Sequence, residues 1–356
     1  MDRQRLMMLG RAALPILAVA SFALGVAATL AVAGDTLGYD YQAYRSAADR
    51  VLNGQPIYDP AVGVAGPFAI FLYPPPFAVA FAPFALLTSS TGVWIWTAAC
   101  VVMSVAAIRI LPVDPSVRWA VLLLAGIDWP VVYAIKLGQV GPMLLLAFAA
   151  GWRLLSSEAA LGAVSAIGTL VKVQPALLFG WALLTGRGRM IGFGLAASAA
   201  AVIVTLPIVG VGAWLDYVQI IGRVSAPVTT PHTMTLGAVV YQVGASEGLA
   251  ATVQIVAMGA TVAVWAYAAR RRAADVGYLT TIVASQLLSP LLWDHYAILL
   301  LLPVAWLLHH GHRWAVFIPL ATSIPLLSIT PPLVYPIVFF VCLVVPSIVT
   351  RARGQT

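Results

Sequence analysis

Charge is scarce in this sequence. Of its 356 residues only 9% are Asp, Glu, Lys or Arg, while 62% are hydrophobic. A soluble domain carries about 25% charged residues, so an ordinary water-soluble core is excluded. Cysteine is scarcer still. Cys100 and Cys342 both lie inside apolar runs and offer no disulfide framework, zinc spacing or CxxC pair. A glycine-rich phosphate loop, a GxSxG elbow and a repeat at solenoid period are all missing. The net charge of +7 is spread over short loops rather than gathered with aromatics on one surface, which argues against a nucleic-acid partner.

What the chain has instead is apolar runs of about 15–22 residues, the mark of an all-α polytopic membrane protein forming a single integral membrane domain over 1–356. Trp and Tyr often stand at run ends, as interfacial anchors do. Candidate spans are 12–33, 91–110, 119–135, 140–155, 159–171, 175–186, 190–210, 250–269, 275–290, 296–309, 313–329 and 333–349, about twelve transmembrane helices. The runs 159–171 and 175–186 are too short to cross alone at about 1.5 Å per residue; they are expected to meet partway and line a cavity. Arg3, Arg5 and Arg11 before a run ending AVAG imitate a signal peptide, but 12–33 is too long for a typical cleaved apolar region and reads as an uncleaved first span.

The segment 72–88 decides the topology. Pro74, Pro75, Pro76 and Pro83 oppose a straight helix. With 72–88 re-entrant and the N-terminus inside, Arg3, Arg5, Arg11, Arg109, Arg118, Arg153, Arg187, Arg189, Arg270, Arg271, Arg272, Arg313, Arg351 and Arg353 all fall on the cytoplasmic side. Letting it span moves Arg109, Arg118 and Arg153 outward and Lys136 inward, against the positive-inside rule. The first arrangement is adopted. It gives an amphipathic first outer loop at 34–90, a second large outer loop at 211–249, and an outer face that collects the unusual polar residues.

In the first outer loop, 40–53 has helical periodicity. Tyr41, Tyr44, Ala48, Val51 and Leu52 fall on one face and Gln42, Arg45, Asp49 and Asn53 on the other, with Gly54 as the stop. Such a helix lies in the interface with its tyrosines toward lipid or protein. Asp40 opens it and has two readings, a helix N-cap or a general base toward an acceptor hydroxyl. Asp35 reads as a loop acid and Asp59 as a turn residue.

Lys172 is a cation in an apolar stretch, where burial costs about 2.5–3.5 kcal/mol on insertion scales; a structural ion pair and a lipid-phosphate partner both explain it. Lys136 stands at a span end, where snorkelling is the default. Gln139 and Gln174 either hydrogen-bond a sugar or satisfy carbonyls of broken helices. His232 reads first as a solvated loop residue. Asp294 and His295 either hold a phosphate or sugar or polarise each other. Tyr73, before its three prolines, marks an interfacial bend or a substrate groove. His309, His310 and His312, with no acid nearby in sequence, read as a topogenic turn rather than a metal cluster.

The run Asp40-x-x-x-Tyr44, then Asn53-Gly54-Gln55-Pro56-Ile57-Tyr58, then Tyr73-Pro74-Pro75-Pro76-Phe77 with Pro83, resembles the first outer loop of the polyprenyl-phosphate-dependent GT-C glycosyltransferases of family 87, which include mannosyltransferases and arabinofuranosyltransferases. Gly138-Gln139, Lys172-x-Gln174-Pro175, the His232 loop and Ser289-Pro290 through Trp293-Asp294-His295 are similar to its later landmarks. The resemblance covers about residues 34–300. It implies a GT-C fold and a polyprenyl-phosphate sugar donor, probed first as mannose or another hexose. It also implies a lipid or glycan acceptor, an inverting displacement and an active site on the outer face of the cytoplasmic membrane. It places the catalytic acid at Asp40 and substrate contacts at Tyr44, Tyr58, Tyr73, Lys136, Gln139, Lys172, Gln174, His232, Asp294 and His295. Other GT-C families show paired acids in this loop. Here the sequence is Gly38-Tyr39-Asp40, so no metal ligand set and no cofactor is expected.

Two rival classes compete. A secondary transporter would use midplane charges and broken helices near 172–175 to bind a solute or ion, but it would show internal repeats and has no need of an acid outside the spans. A non-catalytic polyprenyl-lipid-binding protein would tolerate replacement of Asp40.

Overall fold

A computed structural model describes residues 3–58, 70–223, 228–230, 232–323 and 333–349, with side chains from Ala12 onward. Asp59, the end of the 313–329 run and the basic tail at Arg351 and Arg353 lie outside the described residues. Every regular element described is a helix. In order these are α1 (Arg3–Ala31), α2 (Tyr39–Leu52), α3 (Pro75–Ala80), α4 (Ala82–Ala85), α5 (Ser89–Ile110), α6 (Pro115–Ile127), α7 (Trp129–Leu137), α8 (Gly141–Arg153) and α9 (Glu158–Val171). There follow α10 (Leu177–Leu184), α11 (Gly188–Arg223), α12 (Leu236–Gln242), α13 (Glu247–Arg271), α14 (Ala274–Leu287), α15 (Leu301–His309), α16 (Phe317–Thr322) and α17 (Val334–Val349). Short 3₁₀ turns at Gly34–Thr36, Gln174–Ala176, Asp294–Leu300 and Arg313–Val316 link some of them.

Four of these helices are long and apolar enough to cross a membrane, at Ala12–Ala31, Ser89–Ile110, Gly188–Arg223 and Glu247–Arg271. A fifth span results if α6 and α7, bent by 65°, are one. The figure of about twelve counts apolar runs, and several runs are cut. The expected straight span 119–135 is broken at Asp128 because Pro130 has no N–H for the Gly126 carbonyl and its ring would clash there. Pro175 cuts 159–186 in the same way, leaving Lys172 extended at φ −153°. The run 296–309 begins as a 3₁₀ turn.

The second outer loop is also shorter than expected. Helix α11 runs on to Arg223 past a kink at Gly210, whose φ of 72° and ψ of 168° no helix holds. With α12 and the start of α13, most of 211–249 is helical. In 72–88, α3 and α4 together rise about 16 Å, too little for a hydrocarbon core of about 30 Å.

The post of the molecule is α14, buried at every position from Val276 to Leu287. Its threonine hydroxyls return to their own helix, Thr280 donating to the Val276 carbonyl at 2.7 Å and Thr281 to Gly277 at 2.6 Å, while the Tyr278 hydroxyl donates to the Phe148 carbonyl of α8 at 3.1 Å. Outside stand α1, α11 and α13, whose exposed Ile16, Leu24, Ile203, Val204, Ile255 and Val256 give a lipid-facing surface. Helix α1 crosses α6 so closely that a Cβ at Gly25 would lie 1.8 Å from the Gly126 carbonyl oxygen. Small residues allow such crossings where no hydrophobic effect drives association.

Helix α2 lies across α3 and α4. Tyr41 and Tyr44 face protein: the Tyr44 ring makes edge contacts with Tyr73 at 4.9 Å, Phe77 at 5.2 Å and Phe81 at 5.4 Å. Tyr41, Tyr44 and Ala48 are buried as the periodicity predicts. Leu52, assigned to the same face, is 48% exposed, and Ala43 and Ala47 are buried in its stead.

Candidate active site

The site is built where four helix breaks converge: the start of α2, the α7–α8 turn, the Lys172 break and the loop after α14. Broken backbone inside a membrane protein is tolerated where it lines a cavity or is buried in protein.

The start of α2 is set by Gly38. It is the N-cap, at a left-handed φ of 70°, and makes no side-chain cap bond. Its N–H donates to the Lys136 carbonyl at 2.8 Å, tying α2 to the end of α7. A Cβ here would lie 2.2 Å from Val93 Cγ2, so no side chain fits. Asp40 is therefore the second helical residue, not the N-cap. Its backbone is already helical, and the capping reading fails. As an acid in the first turn it still faces the positive helix end.

One carboxylate oxygen of Asp40, Oδ2, is enclosed and has no hydrogen-bond partner. Burial pushes its carboxyl above the usual carboxylate range; the positive fields of His295 and Lys172 and a hydrogen bond from Gln139 offset this only in part. Gln139 comes from the α7–α8 turn, which Gly138 closes at φ 66°. The Trp96 indole N–H donates to the Gly138 carbonyl at 2.7 Å and fixes that turn. The Gln139 amide also donates to the Tyr73 hydroxyl at 3.1 Å, and Tyr73 and Tyr44 share a hydroxyl contact of 3.0 Å.

Across from Asp40, Lys172 Nζ sits 3.4 Å from the centroid of the Tyr296 ring. Gln174 donates to the Ser289 hydroxyl at 2.5 Å, joining the Lys172 break to the loop after α14, and its Oε1 is enclosed without a partner. In that loop Asp294 accepts from the Trp129 indole N–H at 2.9 Å and from the His295 backbone N–H at 2.8 Å. His295 Nδ1 lies 3.4 Å from Asp294 Oδ1. Its Nε2 is buried with no partner. The arrangement can deprotonate a hydroxyl at Asp40 and receive an anion at Lys172 and His295.

The structure thus brings together Asp40, Tyr44, Tyr73, Gln139, Lys172, Gln174, Asp294 and His295. Tyr58 stands behind them, donating to the Tyr73 carbonyl at 2.6 Å. Lys136 contributes its backbone, while its Nζ lies over the Tyr133 ring at 5.4 Å. His232 is exposed at φ 60°. Its loop is pinned to the site's edge, since Met234 N–H donates to the Leu292 carbonyl at 2.6 Å and Leu292 N–H to the Thr233 hydroxyl at 3.0 Å.

Sequence reasoning passed over Trp129, Ser289 and Tyr296 as site residues. The Trp129-Pro130 step carried a break signal that was readable; the Ser289 and Tyr296 contacts depend on the fold. It also placed no acid near the histidine turn, whereas folding sets Asp114 Oδ2 3.2 Å from His309 Nδ1. Among the described residues no three His, Cys, Asp or Glu gather as a metal-ligand set.

The model of glycosyltransferase family 87 matches residues 71–293, more than half of the chain. The chain belongs to glycosyltransferase family 87. No curated protein and no solved structure matches it. The family 87 match takes in Tyr73, Lys136, Gln139, Lys172, Gln174 and His232. Asp40 precedes it, and Asp294 and His295 follow it directly. The family and the apolar helices together make the chain a membrane glycosyltransferase.

Proposed function

We propose that this family 87 glycosyltransferase moves a hexose, with mannose the first to test, from a polyprenyl-phosphate donor to a lipid or glycan acceptor. The reaction takes place on the outer face of the cytoplasmic membrane and inverts the anomeric centre. The observation that carries this reading is the enclosed, unpartnered Oδ2 of Asp40 beside Lys172 and His295.

In the proposed step the acceptor hydroxyl oxygen attacks the anomeric carbon while Asp40 takes its proton. The bond from that carbon to the phosphate oxygen breaks, and polyprenyl phosphate leaves with the electron pair. Lys172 and His295 Nε2 receive the growing charge on the phosphate, as fixed donors in an enclosed site do. Asp294, held by Trp129, orients the His295 ring. Gln139, which also donates to the Tyr73 hydroxyl, holds the Asp40 carboxylate in place. The reaction in this form calls on no metal and no cofactor.

The test is incubation of the purified protein with radiolabelled polyprenyl-phosphate hexoses and extracted membrane lipids. A new glycosylated lipid or glycan is expected. Failure of every donor to give product, together with solute flux across proteoliposomes, would overturn the transferase reading in favour of a transporter.

A further inference from the structure

Lys172 stands in the site without a carboxylate partner. It forms no ion pair with Asp40 or with any other described acid, and Asp40 Oδ2 for its part has no hydrogen-bond partner. Opposite charges in an enclosed site of low dielectric attract strongly. Free to close, these two would form a salt bridge. That bridge would occupy the base and neutralise the anion site together.

The partner Lys172 has instead is an aromatic face. Its Nζ lies 3.4 Å from the centroid of the Tyr296 ring. A ring face attracts a cation through its quadrupole, most strongly where water is excluded, and it does so without cancelling the charge. The ring is firmly placed. Tyr296 is 5% exposed and belongs to the largely buried 3₁₀ turn at Asp294–Leu300. Its N–H donates to the Trp293 carbonyl at 3.0 Å. The rings of His295 at 4.9 Å and Trp293 at 5.7 Å stand nearly perpendicular to it, so neither lies flat over it. One turn thus carries both His295 and the ring against which Lys172 rests.

We propose that Tyr296 is a positioning residue, whose ring face keeps Lys172 away from Asp40 and open to the phosphate of a lipid donor. This role rests on the transferase reading above. The face acts here and the hydroxyl does not, so phenylalanine meets the same need. A carboxylate in place of the ring would hold the ammonium equally well but would cancel the charge that the phosphate has to meet.

The test uses the full chain in phosphatidylcholine nanodiscs. It measures binding of farnesyl phosphate, with farnesol as the control that lacks the anion. Tyr296→Phe is the reference, followed by phenylalanine bearing one, two and three fluorines at the same position. Fluorine withdraws electron density from the ring face and leaves the shape nearly unchanged, so each form should fold and melt alike. Farnesyl phosphate binding should weaken stepwise along the series, roughly tenfold in all, while farnesol binding stays level. In a Lys172→Met background the series should have no slope. Adding Asp40→Asn to the trifluorinated form should restore binding, since no carboxylate is left to capture the ammonium. A flat series, an equal loss of farnesol binding, or the same slope without Lys172 would overturn the role of the ring. No recovery with Asp40→Asn would overturn its separation of the two charges. Ring-dependent binding of farnesyl phosphate, with no product from the wild-type protein, would leave the positioning role standing and sink the transferase reading alone.

Discussion

Asp40 shows how one residue's role is decided by where the backbone puts it. A cap could be replaced by Asn at little cost, since Asn and Asp cap equally well. In the structure Gly38 is the cap and Asp40 stands free of that duty. Asp40→Asn is therefore expected to fold and to bind the polyprenyl-phosphate donor, while transfer falls by roughly 10²–10⁴-fold, the usual contribution of a positioned base. Turnover and donor affinity measured side by side check this; near-normal turnover would remove Asp40 as the base. The raised carboxyl pKa sets a sign as well. A base works deprotonated, so kcat/KM should rise with pH along an acid limb lying above the ordinary Asp value of about 3.9. The limb should vanish in whatever residual activity Asp40→Asn retains. Lys172 makes the complementary case. Lys172→Met keeps the aliphatic stem over Tyr296 and removes the charge, so insertion should persist while transfer drops; unchanged kinetics would reduce Lys172 to a structural cation.

At the scale of elements, breaks matter more than helices. The α6–α7 bend at Asp128 is pinned from outside: Thr322 donates to Asp128 Oδ1 at 2.8 Å, and the Trp129 N–H donates to the Ser323 hydroxyl at 3.0 Å. That pinning aims the Trp129 indole at Asp294, which faces His295. Trp129→Phe keeps an aromatic ring to stack on Tyr133 but deletes the donor. Hydrogen bonds to charged groups contribute about 1.5–3 kcal/mol to stability, so the melting temperature should fall, and transfer should fall roughly tenfold as well, because the His295 ring loses part of its support. A drop in melting temperature at unchanged activity would make the bond purely structural. The α1–α6 crossing gives a prediction of the opposite kind. Gly25→Leu places a side chain on the Gly126 backbone, which cannot move aside like a flexible side chain. Overpacking costs about 1–3 kcal/mol, so a thermal melt in detergent should shift down, with α1 the first segment to become protease-sensitive.

For the whole molecule the open matter is sidedness. The proposed outer-face location of the site rests on the positive-inside rule, and the shortness of α3 and α4 is consistent with a chain that does not cross at 72–88. Ser89 and Ser116 are exposed on either side of α5, and both native cysteines are buried. Ser89→Cys and Ser116→Cys should therefore label against a low background with an impermeant maleimide, Ser89→Cys from outside and Ser116→Cys only after the membrane is opened. Labelling of Ser89→Cys only from the cytoplasm would invert the topology.

The sequence by itself determined the class of protein, because apolar runs and scarce charge leave a chain no stable form but helices in lipid. It also determined which residues were candidates, because a charge or amide in an apolar stretch, such as Lys172 or Gln139, costs energy that needs a reason. It marked the break at Pro175, since a ring without an N–H interrupts any helix. It could not supply the number of long helices, because an apolar run does not say whether its helix stays straight; the bend at Asp128–Pro130 and the kink at Gly210 come from the folded chain. Nor could it assign Asp40 away from the cap, since that turned on one left-handed glycine bonded to Lys136 nearly a hundred residues away. The gathering of Asp40, Lys172 and His295 belongs to the tertiary structure alone. Residues so far apart in sequence meet only when α14 is buried as the central post and its exit loop is carried across to the start of α2.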